Sequence, residues 1–271
     1  FMAAVHSRAV RAARATPALI AASNPGSSAM AAEDLGIAAV ASDPAALIAS
    51  DVDVVHVCTP NSTHAAFAGS ALAAGKHVIC EKPLAISVGD AEVLAATART
   101  SGLIAAVPFV YRYHPMVREA RARIAKGELG ALLTLDCSYL QDWLLDSGDV
   151  DWRVNPALGG SSRAFADIGS HLCDLIEFVT GERIVRLGAR TRTVRTERAG
   201  SAVTTEDIAA VLFELSGGAL GAMLVSQTAP GRKNALVLEV HGTAESVRFV
   251  QERPDELWVG RRTGSYVLLR D

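Results

Sequence analysis

Apolar positions in the first 110 residues switch repeatedly between helical and strand spacing. Val5, Ala9 and Ala12 share one face of an opening helix, while the valine-rich stretch 52–58 predicts a strand buried on both faces of a sheet. The predicted strands are 18–23, 52–58, 77–80 and 103–110; the predicted helices are 1–15, 27–35, 44–49, an alanine-rich segment ended by Gly75, and one from Ser87 to about Gly102. This alternation predicts a doubly wound parallel α/β sheet.

The pattern changes after Pro115. A helix over 115–126 is followed by 132–139, where apolar and polar residues alternate as in a half-solvated strand. A long loop (142–163) and a helix (168–180) come next, and from Ile184 onward strands are divided by turns. We expect an α+β domain with a large, mostly antiparallel open sheet that can face another subunit. The change of pattern predicts two domains, 1–112 and 113–271, with a cleft between them.

Composition limits the classes of partner. The 271 residues carry 26 basic and 29 acidic side chains, a net charge of −3, so neither nucleic acid nor a membrane surface is expected as a partner. Four cysteines without paired or metal-like spacing are interpreted as reduced thiols of a cytoplasmic protein. The histidines do not group into a metal site either. No apolar run reaches the length of roughly 18 residues that a membrane span needs.

A nucleotide-binding sheet of this type opens with a strand and a Gly-x-Gly-x-x-Gly/Ala turn that approaches a pyrophosphate. The sequence contains no such segment, but Phe1-Met2-Ala3 matches its last three positions. We therefore expect the strand and the two first glycines to be missing before Phe1. The strand-like run 266–270 indicates that the C-terminus is truncated as well.

Four motifs resemble the Gfo/Idh/MocA family (glucose-fructose oxidoreductase, inositol dehydrogenase, rhizopine catabolism) over essentially the whole chain. They are Thr59-Pro60-Asn61 with His64, Glu81-Lys82-Pro83, the junction segment 111–115, and Asp167 with His171. The resemblance implies a Rossmann-type dinucleotide-binding domain over 1–112 and a substrate-binding and oligomerisation domain over 113–271. It also implies an NAD(P)-dependent oxidoreductase acting on CH-OH groups of sugars or cyclitols, without a metal. A homodimer or homotetramer is expected.

The resemblance implies that Lys82 lies beside the nicotinamide and stabilises the alkoxide that forms on the substrate, while Glu81 contacts the cofactor. A surface turn with a solvated lysine is the alternative. Lys82 follows a predicted strand, and α/β sheets bind ligands at the carboxyl ends of their strands, so its position favours the functional interpretation. His64, at the start of a helix, is expected to contact the cofactor.

Asp167 and His171 are four residues apart and project from the same side of a helix. The apolar stripe of that helix places His171 at the edge of its buried face. An imidazole, which ordinarily titrates near neutral pH, can take the substrate proton. Asp167 would bind the substrate or tune the histidine. The alternatives are a helix N-cap for Asp167 and a satisfied half-buried histidine for His171.

Other residues complete the expected site. Arg112, Arg153 and Arg163 are candidates for binding sugar hydroxyls or cofactor phosphate, and Trp143 and Trp152 for stacking on a sugar. A salt-bridged arginine and a loop-anchoring tryptophan are the alternatives. Ser23-Asn24 occupies the position that reads the adenosine ribose, where the lack of an acid slightly favours NADP over NAD. The expected cofactor contacts are Phe1, Met2, Ser23, Asn24, Thr59, Pro60, Asn61, His64, Glu81, Lys82 and Arg112; the expected substrate contacts are Lys82, Tyr111, Trp152, Arg153, Arg163, Asp167 and His171.

Three functions agree with these residues. The first is a dehydrogenase in which Lys82, Asp167 and His171 are catalytic. The second is a hydrolase of the same fold that uses bound NAD transiently to cleave a glycosidic bond. The third is a sugar- or nucleotide-binding regulator without chemistry, for which three retained proton-handling side chains would have no purpose.

Overall fold

The chain folds as two compact units. The computed structural model describes residues 1–270, and its contacts divide the chain into Phe1–Pro108 and a second unit from residue 109 onward. The boundary expected from the sequence, after residue 112, lies a few residues beyond this division. Among residues 1–270, none of the helices is both long and apolar enough to cross a membrane.

The first unit is a Rossmann-type α/β structure with parallel strands. Its helices are α1 (Met2–Ala12), α2 (Pro25–Leu35), α3 (Pro44–Ala49), α4 (His64–Ala73) and α5 (Val88–Ser101). Its strands are β1 (Leu19–Ile20), β2 (Ala39–Val40), β3 (Val54–Val57), β4 (His77–Cys80) and β5 (Ala105–Ala106). Strand β1 pairs with β2, while β3, β4 and β5 form a second parallel sheet in that order.

The division into two parallel sheets differs from the single sheet expected from the sequence. In a doubly wound fold of strand order 3-2-1-4-5-6, the first strand pairs with both the second and the fourth. Strands β1 and β2 match the second and third of that order, and β3 to β5 match the fourth to sixth.

Local signals set the helix ends of this unit. The side chains of Asp43 and Ser87 accept hydrogen bonds from Ala46 N and Asp90 N at the starts of α3 and α5, as their types predict. Gly36 ends α2 in the left-handed region at φ 61°, where a residue without Cβ is favoured. The capping predictions are confirmed.

The core of the first unit lies between the sheet β3-β4-β5 and helices α4 and α5. Val55, Val57, Val78 and Cys80 are at most 5% exposed, whereas Val54 is 40% exposed. Strand β3 is therefore buried mainly on one face, and the expectation of burial on both faces was wrong. Val57 pairs with Cys80, so the carboxyl ends of β3 and β4 lie side by side.

The second unit is an α+β structure built on a large sheet. Its helices are α6 (Pro115–Ala125), α7 (Pro156–Gly159) and α8 (Ser170–Thr180). Its strands are β6 (Leu132–Leu140), β7 (Ile184–Arg192), β8 (Glu197–Arg198), β9 (Ser201–Ala202), β10 (Ile208–Leu215), β11 (Leu220–Ser226), β12 (Ala235–Gly242), β13 (Glu245–Val250), β14 (Glu256–Arg261) and β15 (Gly264–Leu269).

Eight of these strands form one sheet in the order β15-β14-β13-β12-β6-β11-β10-β7. All neighbours are antiparallel except β6 and β11, which confirms a mostly antiparallel sheet. Helix α8 covers the inner face through Leu172, Leu175, Ile176 and Val179, each at most 1% exposed. Burying each such side chain contributes about 1.5–3 kcal/mol. On the other face, leucines such as Leu212 (70% exposed) remain open.

The segment before α8 is a π-helical turn over Phe165–Gly169 rather than the start of the α-helix expected from 168. The Phe165 ring packs over Gly169, where any side chain would collide with it. This wider turn carries Asp167, which therefore does not cap α8; the N-cap alternative was wrong. π-Turns of this kind occur frequently at functional sites.

Candidate active site

Two loops at the carboxyl ends of β3 and β4 carry the first group of candidate residues. Thr59, Pro60 and Asn61 follow β3, and Asn61 is 8% exposed. Glu81 and Lys82 follow β4; Glu81 is buried and Lys82 half-buried. The lysine ammonium group is thus at a strand end of a parallel sheet, where α/β folds bind ligands.

His64 joins these two loops. Its buried imidazole places Nδ1 2.7 Å from the carbonyl oxygen of Pro83 and Nε2 2.8 Å from that of Thr59. Both ring nitrogens are therefore engaged by the backbone. The side chain holds the two loops together, and at 1% exposure it is enclosed between them.

Glu81 is held from two sides. Its Oε1 lies 3.0 Å from His6 Nε2, and its Oε2 accepts a hydrogen bond from the backbone N–H of Lys82 at 3.2 Å. Burial by itself would raise the pKa of Glu81, but the hydrogen bond and charge of His6, with Lys82, hold it below its usual range. Glu81 is therefore an ionised carboxylate at neutral pH, beside the lysine.

His6 is a residue of this site that the sequence did not point to. Its Nδ1 lies 2.9 Å from Nδ1 of His56 on β3. Hydrogen bonds to Cys58 and to Glu81 raise the pKa of His6 to about 9, while burial and the His6 charge lower the pKa of His56. A protonated His6 then donates to a neutral His56 and to Glu81. The only signal in the sequence was its position on the helix after the expected glycine-rich turn.

The start of α1 and the loop after β1 are the other parts of this unit that the sequence assigned to a cofactor. Helix α1 begins after Phe1 and Met2 is its first residue, with no acidic residue in the first turn, so its N-terminus favours phosphate. Ser23 and Asn24 follow β1 and are exposed; the Asn24 side chain caps α2 by accepting from Ser27 N at 2.8 Å. Neither an acid nor a base stands at that position.

In the second unit, His171 on α8 is enclosed by aromatic rings. The ring centroids of Tyr111, Phe109 and Tyr139 lie 5.1, 5.7 and 6.3 Å from that of His171. Its residue exposure is 8%. The Tyr111 hydroxyl lies 2.6 Å from that of Tyr139, and burial raises the pKa of both phenols, which stay protonated. His171 is thus the imidazole of an otherwise aromatic group.

Asp167 lies on the π-helical turn, one helical turn before His171. Its Oδ2 accepts from Gln227 Nε2 at 2.9 Å, and Arg153 Nε lies 3.3 Å from its Oδ1. Arg153 also stacks over the Trp152 ring, at 4.4 Å from the centroid, and pairs with Asp151. The structure therefore brings three expected substrate contacts together, namely Trp152, Arg153 and Asp167.

Two arginines expected to bind ligands are committed elsewhere. The Arg163 side chain is fully buried and ion-paired to Asp207, whose carboxylate also pairs with buried Arg198. Arg112 pairs with Asp174 and stacks on Phe178. We therefore assign Arg163 a structural role instead of the expected substrate contact, and Arg112 is not directed at a cofactor by these bonds. The sequence could not show either partner, because both lie more than 40 residues away.

The described residues, 1–270, contain no group of three or more His, Cys, Asp or Glu placed to hold a metal ion. The chemistry available from these side chains is acid and base chemistry. The first unit offers an ammonium group next to an ionised carboxylate, and the second offers an imidazole beside a hydrogen-bonded carboxylate. Groups of this kind move a proton to or from a hydroxyl.

Comparison with known families gives matches over both units. Residues 1–109 match the model of the oxidoreductase family with an NAD-binding Rossmann fold, and residues 117–248 match the GFO/IDH/MocA C-terminal domain. An oxidoreductase domain protein from Kribbella flavida is 36% identical, with a TM-score of 0.94 over 99% of this chain and 77% of that one.

Two further comparisons involve levoglucosan dehydrogenases. That of Pseudarthrobacter phenanthrenivorans is 33% identical over 89% of this chain and 66% of its own length. A levoglucosan dehydrogenase solved with NADH and levoglucosan is 33% identical, with a TM-score of 0.89 over 93% of this chain and 70% of that one. The chain thus spans slightly less than two thirds of the first of these relatives.

Proposed function

We propose a dehydrogenase function from one premise: this chain belongs to the Gfo/Idh/MocA family of NAD-binding oxidoreductases. Its substrates in this proposal are ring hydroxyls of sugars, sugar derivatives or cyclitols. A bound nicotinamide cofactor would supply the acceptor or donor for the hydride of the reacting alcohol carbon. The observation that carries the proposal is the place of Lys82, half-buried at the carboxyl end of β4 and next to an ionised Glu81.

Lys82 stabilises negative charge on the substrate oxygen in this proposal. An ammonium group beside a hydroxyl lowers the hydroxyl's pKa and favours the alkoxide from which hydride leaves. Glu81 is too acidic to take that proton at neutral pH, because His6 stabilises its ionised form. Its role is to fix the Glu81-Lys82 segment through the backbone N–H of Lys82.

His171 is the proton acceptor of the proposed reaction. The imidazole takes the hydroxyl proton during oxidation and returns it during reduction, as a general base and acid near neutral pH. Asp167 orients the substrate or the imidazole, with its own carboxylate held by Gln227 and Arg153. Trp152 and Arg153 offer a stacking face and a donor for other hydroxyls of the substrate.

The N-terminus of α1 and the loops after β1, β3 and β4 would hold the cofactor. Ser23 and Asn24 are compatible with either nucleotide, and the lack of an acid there slightly favours NADP. The NADH complex of the related levoglucosan dehydrogenase supports NAD equally. Both cofactors therefore belong in the assay.

The test is an activity screen of the full-length protein. With NAD⁺ or NADP⁺ and a panel of sugars, anhydrosugars and inositols, we expect an increase in absorbance of the reduced nicotinamide. Lys82→Ala should lower kcat by about 100-fold or more, since it removes an electrostatic contact to the developing oxyanion. Lys76→Ala is the matched control, because Lys76 precedes the same strand at its amino end.

Two results would contradict the proposal. If the protein binds the dinucleotide but turns over no member of the panel, it is not a dehydrogenase of these substrates. If it releases sugar from glycosides with no net change in nicotinamide absorbance, it is a hydrolase. Retained activity in Lys82→Ala would exclude the assigned role of the lysine.

The open face of the large sheet supports a homodimer or homotetramer. Leu212, Leu220 and Leu224 are 70%, 59% and 44% exposed on neighbouring strands β10 and β11. Contiguous apolar surface of this kind marks protein interfaces. Light scattering of the full-length protein measures its mass in solution. A monomer mass would show that this face does not join subunits.

A further inference from the structure

Gln227 lies at the end of β11 with its side chain between two charged groups. The residue is fully buried, at 0% exposure. Its Oε1 accepts a hydrogen bond from Arg163 Nη1 at 3.2 Å, and its Nε2 donates to Asp167 Oδ2 at 2.9 Å. Its backbone is fixed as well, since Gln227 N–H donates to the carbonyl oxygen of Asp207 at 3.1 Å.

The chemistry of the two partners sets the orientation of the amide. A guanidinium group only donates hydrogen bonds, so the oxygen of the Gln227 amide must face Arg163. The NH₂ group then necessarily faces the Asp167 carboxylate, which accepts. A flip of the amide would place two donors together at one end and two acceptors at the other.

Arg163, which sets this orientation, is itself immobilised. Its side chain is ion-paired to Asp207 and its Nε donates to Thr205 Oγ1 at 3.2 Å. Its backbone N–H donates to Glu206 Oε1 at 3.0 Å. Three successive contacts therefore connect Asp207 to the Asp167 carboxylate through Arg163 and Gln227, two of them buried and the last partly buried.

Arg153, which also donates to Asp167, is less confined than Gln227. Arg153 has a side-chain exposure of 28%, and its Nη1 is shared with Asp151 at 3.1 Å. It can leave Asp167 by rotating into solvent, whereas the amide of Gln227 cannot. Of these two donors to Asp167, Gln227 is the one that is fixed in the interior of the unit.

We propose that Gln227 is a positioning residue, which fixes the Asp167 carboxylate in the direction needed for the reaction. The inference rests on the proposed function, in which Asp167 and His171 act on the substrate hydroxyl. A displacement of a catalytic group by about 1 Å can lower the rate by about 100-fold. Loss of the Gln227 amide should therefore reduce kcat much more than substrate affinity.

Gln227→Met and Gln227→Glu separate positioning from simple support of the fold. The methionine keeps the bulk and removes both hydrogen bonds, and we expect kcat to fall about 10- to 100-fold. KM should change less than about threefold, and the dinucleotide Kd should be unchanged, because the cofactor-binding residues lie in the other unit. The control is Gln251→Met, a half-buried glutamine in the turn after β13, which should retain wild-type kcat.

Gln227→Glu adds a pH signature that a structural role would not produce. The glutamate keeps the acceptor for Arg163 but places a carboxylate oxygen against Asp167. Above neutral pH the two carboxylates repel each other, and kcat should fall further than in the methionine variant. At lower pH the glutamic acid can donate its proton to Asp167, so its activity relative to wild type should recover at least about fivefold between pH 8 and pH 5.5.

The outcomes distinguish this inference from the proposed function. Suppose wild type is active and Lys82→Ala is not. Positioning by Gln227 is then wrong if both Gln227 variants keep full kcat, or if the kcat of Gln227→Glu relative to wild type does not change with pH. If wild type binds the dinucleotide and turns over nothing, the proposed function fails instead. Crystal structures of wild type and Gln227→Met then decide: an unmoved, well-ordered Asp167 carboxylate in the variant overturns the inference, and a displaced one supports it.

Discussion

Removal of the Asp207 carboxylate charge should lower the stability of the second unit more than removal of any other single charge. Its side chain has no exposure, and it pairs with both Arg163 and Arg198, which are 0% and 1% exposed. The backbone N–H groups of Val194 and Arg195 donate to its Oδ2 at 2.6 and 3.0 Å. Asp207→Asn keeps this shape but leaves two buried guanidinium groups without a counter-charge.

The expected loss follows from the cost of an unpaired buried charge. Removing one partner of a buried ion pair destabilises by about 3–5 kcal/mol. That is a large part of the total of about 5–15 kcal/mol typical of folded proteins. Burial would raise the pKa of Asp207, but the Arg195 N–H and the Arg163 guanidinium hold it below its usual range. Its contribution is therefore complete above pH of about 4 and is lost as pH falls through the lower native pKa.

The assay is urea unfolding followed by tryptophan fluorescence. All three tryptophans lie in the second unit, so the signal reports its unfolding directly. Glu214→Gln is the control: Glu214 pairs with Arg186, whose side chain is 77% exposed, and such pairs contribute at most about 1 kcal/mol. Equal effects of the two substitutions, both within about 1 kcal/mol of wild type between pH 5 and 8, would refute the reasoning.

Two other predictions concern stability. His6 has its pKa raised to about 9 by its bonds to the Cys58 thiol and a neighbouring carboxylate, so its contribution is complete below pH of about 6.5 and lost as pH rises through 9. Between pH 6.5 and 9.5, wild type should lose about 2–3 kcal/mol more than His6→Gln in urea unfolding followed by circular dichroism; parallel losses would contradict the protonated state. Gly242→Ala places a Cβ against the carbonyl oxygen of Leu129 and should cost about 1–3 kcal/mol, whereas Gly188→Ala meets nothing within 4 Å and should change the unfolding free energy by less than about 0.5 kcal/mol.

Local signals in the sequence were sufficient for much of the fold. The caps at Asp43 and Ser87 and the helix end at Gly36 depend on residues within one turn, so they could be predicted from neighbours alone. The order of the eight-stranded sheet could not, because its central pairings join distant segments. The strand lengths were also overestimated in the first unit, where β5 is only Ala105–Ala106.

The candidate site likewise contains residues that local sequence could predict and residues that it could not. Lys82 and His171 lie in motifs whose local sequence places them at a strand end and on a helix. Gln227 has no motif, since its importance comes from two partners about 60 residues away in sequence. Arg163 was expected to bind substrate, with a salt-bridged arginine as the alternative, and its buried ion pair with Asp207 favours that alternative.

The place of β6 at the centre of the large sheet has a consequence for synthesis of the chain. Leu135 pairs with Gly221 on one side and Val240 on the other, roughly 85 and 105 residues later. At ribosomal rates of about 5–20 residues per second, β6 waits roughly 4 to 20 seconds for its partners. Asp136 and Ser138 interrupt its apolar side chains at every second position. A nascent chain with this central strand unpaired carries polar residues that oppose premature association with other strands.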